Sequence, residues 1–305
     1  MMAPGQGRMR KGILLAGGSG TRLFPITTSI NKHLFPIYDK PLIYYPLTTL
    51  MLAGIDDILV ISGPQHLRSL QEFLGDGQRW GIRLSYAEQA KPAGIAQALL
   101  IGSNFIGDEP VALILGDNIF YGHPLVDMLL DAGQRAANGS AVVFTYQVSD
   151  PRAYGVLECK PDGSPFAIFE KPTAPKSDRA VTGLYFYDQH AVEFARRLKP
   201  SARGELEITD LNRAYLEKQH LIPIHLGRGY VWFDAGTSQT LIQASLFVEI
   251  LQTRQRTGIA FPEEVAFRMG FIDLAGFEKC LGAMPNCAYR SYLDRLVEDF
   301  REGRR

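Results

Sequence analysis

Residues 12–36 read GILLAGGSGTRLFPITTSINKHLFP. An apolar run delivers the chain into a turn with glycines at 17, 18 and 20, where missing Cβ atoms let backbone N–H groups come close to a polyphosphate. Arg22 and then Lys32 follow, and two cations beside such a turn suit a multiply charged anion better than a plain chain reversal does. The turn lacks the lysine and hydroxyl pair of a P-loop, and Gly17, Gly18 and Gly20 do not make the dinucleotide spacing, so neither a P-loop kinase nor a nicotinamide enzyme is favoured. His33, next to Lys32, has two readings: a donor that keeps the loop ordered, or a titratable group whose charge would strengthen phosphate binding as pH falls, against the opposition of Lys32 and Arg22. Further along, Asp117 in LILGDNIF closes an apolar run, a costly place for a carboxylate unless it faces a cleft or an ion.

The composition confines any such anion to a local site. Lys plus Arg and Asp plus Glu are both 32, so the formal net charge is zero and no broad field invites nucleic acid or an anionic membrane. The 305 residues, 46 % apolar, can bury a substantial core. Cys159, Cys280 and Cys287 are odd in number and lie in no metal-like spacing, so free buried thiols in a reducing, cytoplasmic compartment are expected. No window reaches the roughly 18 apolar residues of a membrane span, and the start lacks the apolar run of a signal peptide.

The elements that must position these residues follow a βαβ rhythm. GILLAG, ILVISG, RLSYAEQ, VALILGDN and AVVFTYQV read as strands, with helices from Leu42, Gln65, Ile95 and Pro124 between them. The expected fold is α/β, a Rossmann-like, mostly parallel sheet flanked by helices, with loops at the carboxyl ends of the strands forming the site. After Asp150 the rhythm changes: Asp162 and Gly163 mark a hairpin between two strand-like runs, and AVTGLYFYD is a further strand, together a sugar-sized lid or insertion built on the sheet. Helical patterns dominate from Thr237 onward. We expect a loose tail over residues 1–9, a catalytic domain over 10–250, and a helical C-terminal segment over 251–305 that packs on the core or against another subunit.

The stretch GGSGTRLFPITTSINKHLFPIYDKPLIYYPL resembles the signature of the sugar-phosphate nucleotidyltransferases, and within them the short glucose-1-phosphate thymidylyltransferases. The resemblance continues through LGDNIFYG, YGVLE, EKP, AVTGLYFYD, LKPSARGELEITDLNRAYLE and YVWFDAGT. It implies transfer of a nucleotidyl group from dTTP to glucose 1-phosphate, releasing pyrophosphate. The attacking phosphate oxygen is already an anion, so no general base is needed; cations must join two anions and stabilise the leaving group.

On that resemblance Arg22 is similar to the clamp on the β- and γ-phosphates, Lys32 to the lysine nearest the α-phosphate, and Lys171 to the residue meeting the sugar phosphate. Asp117 and Asp234 match the carboxylates of a Mg²⁺ site, with turn capping the plainer alternative for each. Gly17, Gly18, Gly20, His33, Gln89 and Gly94 fall on the nucleotide side. The Gln89 amide suits thymine or uracil, and Gly94 would let the base lie against the backbone, although Ala93 stands where the family usually carries an acidic residue. Tyr154, Gly155, Glu170 and Val181 fall on the sugar side. Glu205 and Asp210 read instead as helix-start residues, Asn118 as no more than a turn former, and His123, His190, His220 and His225 as structural. Similar proteins are tetramers, which implies a homo-oligomer. Use of UTP or another hexose 1-phosphate, and a nucleotide-sensing subunit without turnover, are the alternatives; against the last stands the joint presence of Arg22, Lys32, Asp117, Lys171 and Asp234.

Overall fold

A computed structural model describes residues 9–18 and 20–304. Of the expected tail, residues 1–8 lie outside the described residues, whereas Met9 is buried in the core. The strands are β1 (Lys11–Leu15), β2 (Pro36–Ile37), β3 (Lys40–Pro41), β4 (Asp57–Ser62), β5 (Arg83–Glu88), β6 (Val111–Leu115), β7 (Asn118–Tyr121), β8 (Ala141–Gln147), β9 (Gly155–Cys159), β10 (Pro165–Glu170), β11 (Arg179–Tyr187), β12 (Leu221–Leu226) and β13 (Val231–Asp234). The helices are α1 (Tyr44–Leu52), α2 (Pro64–Leu74), α3 (Gln97–Ile101), α4 (Ser103–Ile106), α5 (Leu125–Ala137), α6 (Ala191–Arg197), α7 (Ile208–Glu217), α8 (Ser238–Gln255), α9 (Pro262–Arg268), α10 (Leu274–Gly282) and α11 (Ala288–Arg301).

The expected α/β architecture is present. A central sheet runs β10-β9-β11-β6-β1-β4-β5, with β8 joined to β11 and β12 to β8. Its β6-β1-β4-β5 portion is parallel; β1, β4 and β6 are apolar runs because both faces are covered, whereas β5, RLSYAE at the edge, is only partly buried. Along β1, Leu14 packs toward α1, α2 and α5, whereas Ile13 and Leu15 pack toward α3, α6 and α7. The strand predicted at AVVFTYQV does not lie beside β6; antiparallel β11 comes between them. The β9-β10 hairpin extends the edge of this same sheet.

Strand β11 divides the sheet. Its C-terminal half, Leu184–Tyr187, pairs with β6, while Ala180 near its start pairs with Val156 of β9, and the register against β8 shifts between Val181 and Tyr185. The sheet therefore splays beyond the end of β6, where β7 and β13 form a small antiparallel ribbon. That opening holds the site.

Beyond residue 250 the chain packs back on the core: α9 lies against α1, and Trp80 donates its indole N–H to Glu263 at 3.0 Å. Lys40, almost fully buried, sits with its ammonium 4.1 Å from the centre of the Phe261 ring. The three cysteines are free, but the expectation of burial is corrected: Cys159 and Cys280 are half-buried and Cys287 is exposed, near the start of the amphipathic helix α11.

Candidate active site

Two clefts meet at the splayed end of the sheet. The larger, about 720 Å³, is lined by Arg22, Tyr154, Gly155, Glu170, Lys171, Val181 and Asp234, among others. The smaller, about 200 Å³, is lined by Gly17, Gly18, Lys32, His33, Gln89 and Gly94, among others. Asp117, Glu205, Ile95 and Leu115 line both and form the junction. Gly20 shapes the turn from outside the clefts; its left-handed φ of 61° suits glycine, and its carbonyl accepts from Leu23 N and Thr27 Oγ1.

Strand β1 ends at this turn, and short 3-10 turns at Thr21–Leu23 and Lys32–Leu34 carry the cations. Lys32 Nζ lies 2.5 Å from Asp117 Oδ2. Asp234 ends β13 opposite Asn118, and Ala235 N donates to the Asp117 carbonyl, which brings the two aspartates from distant sequence to one place. The Arg22 guanidinium lies beside Asp234: a Cβ on Gly236 would stand 2.5 Å from Arg22 Nη2 and 2.7 Å from Asp234 Oδ1.

Asp234 Oδ1 is buried and has no hydrogen-bond partner. Burial, then the neighbouring Asp117 carboxylate, raises the Asp234 carboxyl above its ordinary pKa. Burial pushes Asp117 the same way, but the Lys32 ammonium and the hydrogen bonds from Lys32 and Asn118 outweigh it and hold the carboxyl well below the usual range. An orphaned buried oxygen beside a second carboxylate is a donor set that a divalent cation would satisfy. No group of three or more His, Cys, Asp or Glu forms a cage among the described residues, so the pair fits an ion such as Mg²⁺, which takes its remaining ligands from phosphate oxygens and water.

His33 requires a correction. It is 1 % exposed, with Nδ1 2.8 Å from Asn31 Oδ1, the same oxygen that accepts its own backbone N–H. The atom that accepts a backbone N–H is the amide oxygen, which can only accept, so Nδ1 carries the proton and in the neutral ring Nε2 is left as the acceptor. Burial and then Lys32 lower the imidazole pKa to about 3. His33 is thus a neutral part of the scaffold, and the acid-strengthened phosphate grip is not supported.

Gly94 also differs in detail. It lines the smaller cleft at φ 102°, but a Cβ there would stand 2.3 Å from the Leu206 carbonyl oxygen. What demands glycine is close packing on the 205–207 segment. Gln89 is buried and donates from Nε2 to Gln97 Oε1 at 2.7 Å. On the other side, Glu170 accepts from Thr209 Oγ1 at 2.5 Å and from Arg203 at 3.2 Å, with Lys171 Nζ 3.7 Å away. Tyr154 packs edge-on against Trp232, ring centres 5.2 Å apart.

Several residues escaped the sequence reading. Glu205 lies at the junction and not at a helix start: α7 begins at Ile208, and its N-cap is Glu207. Asn118 is more than a turn former. Its Oδ1 accepts from Gly183 N at 2.9 Å and Trp232 Nε1 at 2.6 Å, and its Nδ2 donates to Asp117 Oδ1 at 3.0 Å. Thr182, fully buried on the wall of the larger cleft, has an unpartnered hydroxyl. For Glu205 the available signal was its place within the matched GELEITD motif; for Asn118 and Thr182 only the fold supplies one.

A parallel sheet opening at the carboxyl ends of its strands onto cations, two carboxylates and a glycine turn defines a site for nucleotide transfer. The model of the nucleotidyl transferase family matches residues 11–250, and the chain belongs to that family. At finer grain it is 52 % identical over 289 residues to a glucose-1-phosphate thymidylyltransferase of Xanthomonas campestris pv. campestris, covering 95 % of this chain and 97 % of that one. It is 50 % identical over 288 residues to the protein of that name from Mycobacterium tuberculosis, covering 94 % and 99 %. Among solved structures, one from Bacillus anthracis carrying the same designation, in complex with sucrose, superposes with a TM-score of 0.71 at 41 % identity, covering 78 % of this chain and 94 % of that one. A UDP-glucose pyrophosphorylase complexed with UDP-glucose superposes with a TM-score of 0.69 at 28 % identity, covering 81 % and 100 %.

Proposed function

We propose that this enzyme joins dTTP to glucose 1-phosphate, giving dTDP-glucose and pyrophosphate, and so supplies dTDP-sugars for carbohydrate biosynthesis. The observation that carries this reading is the convergence of Arg22, Lys32, Asp117 and Asp234 where the two clefts meet, in a chain about 50 % identical over most of its length to proteins named for that reaction.

A phosphate oxygen of the sugar 1-phosphate attacks the α-phosphorus, forming one P–O bond as the bond to the bridging oxygen of pyrophosphate breaks in line with it. Lys32 neutralises charge at the α-phosphate, and Arg22 with the backbone N–H groups of Gly17 and Gly18 holds the β- and γ-phosphates, the turn itself being shaped by Gly20. Lys171 holds the incoming sugar phosphate, so cations from both clefts bring the two anions together at the junction. Asp117 and Asp234 would hold Mg²⁺, which when bound supplies positive charge to the phosphates and to the leaving pyrophosphate. In this structure Lys32 pairs with Asp117, so it exchanges that partner for phosphate when substrate arrives. Gln89, with Gly94 beside it, reads the base; Glu170 accepts from sugar hydroxyls, and Tyr154, Gly155 and Val181 shape the sugar pocket.

Use of UTP remains the second reading, because a carboxamide meets uracil as it meets thymine and a UDP-glucose pyrophosphorylase shares the fold. Pyrophosphate release over a grid of nucleoside triphosphates and hexose 1-phosphates, with Mg²⁺ supplied, tests all of this. Highest kcat/KM for dTTP with glucose 1-phosphate is expected; absence of turnover with every pair would overturn the enzymatic reading in favour of a sensing subunit. The proposal includes a cytoplasmic homo-oligomer, a tetramer, for which sedimentation of the whole chain is the measurement. Exposed Ile242, Leu246 and Ile250 along α8 offer apolar surface for such contacts, and no helix among the described residues is long and apolar enough to cross a membrane.

A further inference from the structure

Gln97 is the first residue of α3, uncharged and half-buried. Its Oε1 lies 3.0 Å from the Ala93 backbone nitrogen and 2.7 Å from Gln89 Nε2. A backbone N–H can only donate, so the Gln97 atom it meets is the oxygen, and the Gln89 atom facing that oxygen must then be the NH₂ group. The Gln89 carboxamide is therefore held in one of its two orientations. Its Oε1 is directed at Gly17, 2.6 Å from where a Cβ on that residue would stand.

The orientation matters because of what a carboxamide reads on a pyrimidine. Thymine and uracil present an N3–H donor beside an O4 acceptor; cytosine presents an N3 acceptor beside an N4 donor. Against thymine, Oε1 faces N3 and the NH₂ faces O4. In the same pose cytosine demands the amide turned over. An amide free to turn serves both bases, whereas one fixed by a neighbour that accepts only N–H serves one.

We infer that Gln97 is a positioning residue for base selection, its Oε1 holding Gln89 against the flip that would admit cytosine. This rests on the proposed role of Gln89 as reader of the base. The same oxygen anchors the Ala93 amide, so the lock and the loop leading into Gly94 are set together.

The test compares dTTP and CTP on the whole enzyme, with CTP also measured as a competitor of dTTP. Their ratio is taken within each variant, so a loss of folded protein cancels. Gln97→Met removes the acceptor at similar length, whereas Gln97→Glu retains an oxygen for both donors. Gln97→Met should lower the preference for dTTP over CTP by about 10-fold or more, through a higher KM for dTTP and tighter competition by CTP, with kcat for dTTP largely kept. Gln97→Glu should restore the wild-type ratio. Equal scaling of both nucleotides in Gln97→Met, or a loss of selectivity as large in Gln97→Glu, would overturn the inference. Gln89→Met separates the layers. If it leaves the ratio unchanged, the base-reading role of Gln89 itself falls; if it collapses the ratio while Gln97→Met does not, Gln89 reads the base without this lock.

Discussion

Asp234 carries a buried oxygen, Oδ1, with no hydrogen-bond partner, and although Arg22 lies beside the carboxylate, leaving a buried charged oxygen without a hydrogen bond is expensive for the fold. That cost is consistent with an oxygen kept for a cation. Asp234→Asn should accordingly reduce kcat by about 10²-fold or more at saturating Mg²⁺, while Tm stays level or rises; a Tm that falls with kcat would make the residue structural. Lys171 is exposed and 3.7 Å from Glu170, so its removal should leave the fold intact. Lys171→Ala should raise the KM for glucose 1-phosphate by about tenfold, the worth of one charge-assisted hydrogen bond, with a smaller change in triphosphate affinity by titration. His33 has its imidazole pKa lowered to about 3, so it stays neutral from neutral pH down to mild acid. Triphosphate affinity plotted against pH over that range should therefore run parallel for the wild type and His33→Gln.

Among the elements, the divergence of β11 from β6 creates the site, and Asn118 bridges the gap. Its side chain joins β7 to β11 through Gly183 and to β13 through Trp232. Replacing it leaves two buried donors without an acceptor, each costing about 1–3 kcal/mol. Asn118→Ala should destabilise the protein by about 2–4 kcal/mol in urea unfolding and also impair turnover, because Asp117 loses the hydrogen bond from Nδ2. The hairpin at Asp162 and Gly163, the strand run at AVTGLYFYD and the helices of the first half were all legible from periodicity and turn chemistry. The insertion of β11 between β6 and β8 was not, since strand order depends on pairing between segments far apart in sequence.

At the scale of the whole molecule, the helices after α8 are tied to the first half through a buried carboxylate. Glu263 accepts from Trp80 Nε1 at 3.0 Å and from Tyr289 OH at 2.7 Å. Trp80→Phe keeps most of the ring volume but removes one donor, at a cost of about 1–3 kcal/mol. The chain has two tryptophans, so this variant leaves Trp232, beside the site, as the only indole. Its fluorescence transition and the helical circular dichroism should coincide at a lowered midpoint if core and C-terminal helices unfold as one unit; separated transitions would show that they do not.

The sequence by itself determined which chemical groups are available and roughly where the chain turns. The glycine turn, the cations at 22, 32 and 171, and aspartates closing apolar strands are legible because they break local rules: glycine where a side chain would pack, charge where burial is costly. Tertiary structure decided what each group faces. Gly94 is a glycine on either reading, but only packing shows its bare side against Leu206. His33 is beside Lys32 on either reading, but only burial and Asn31 make it neutral. Gln97 and Glu205 carry no local anomaly, since an amide or carboxylate near a helix start is ordinary, and Asn118 carries none either, since asparagine after Gly-Asp is an ordinary turn former. Asn118 and Glu205 acquire their roles only where a neighbour distant in sequence, or a cleft walled by several segments, meets them, and Gln97 only where the chain before α3 folds back to bring Gln89 and Ala93 onto one oxygen, because hydrogen bonds and desolvation act through space and not along the chain.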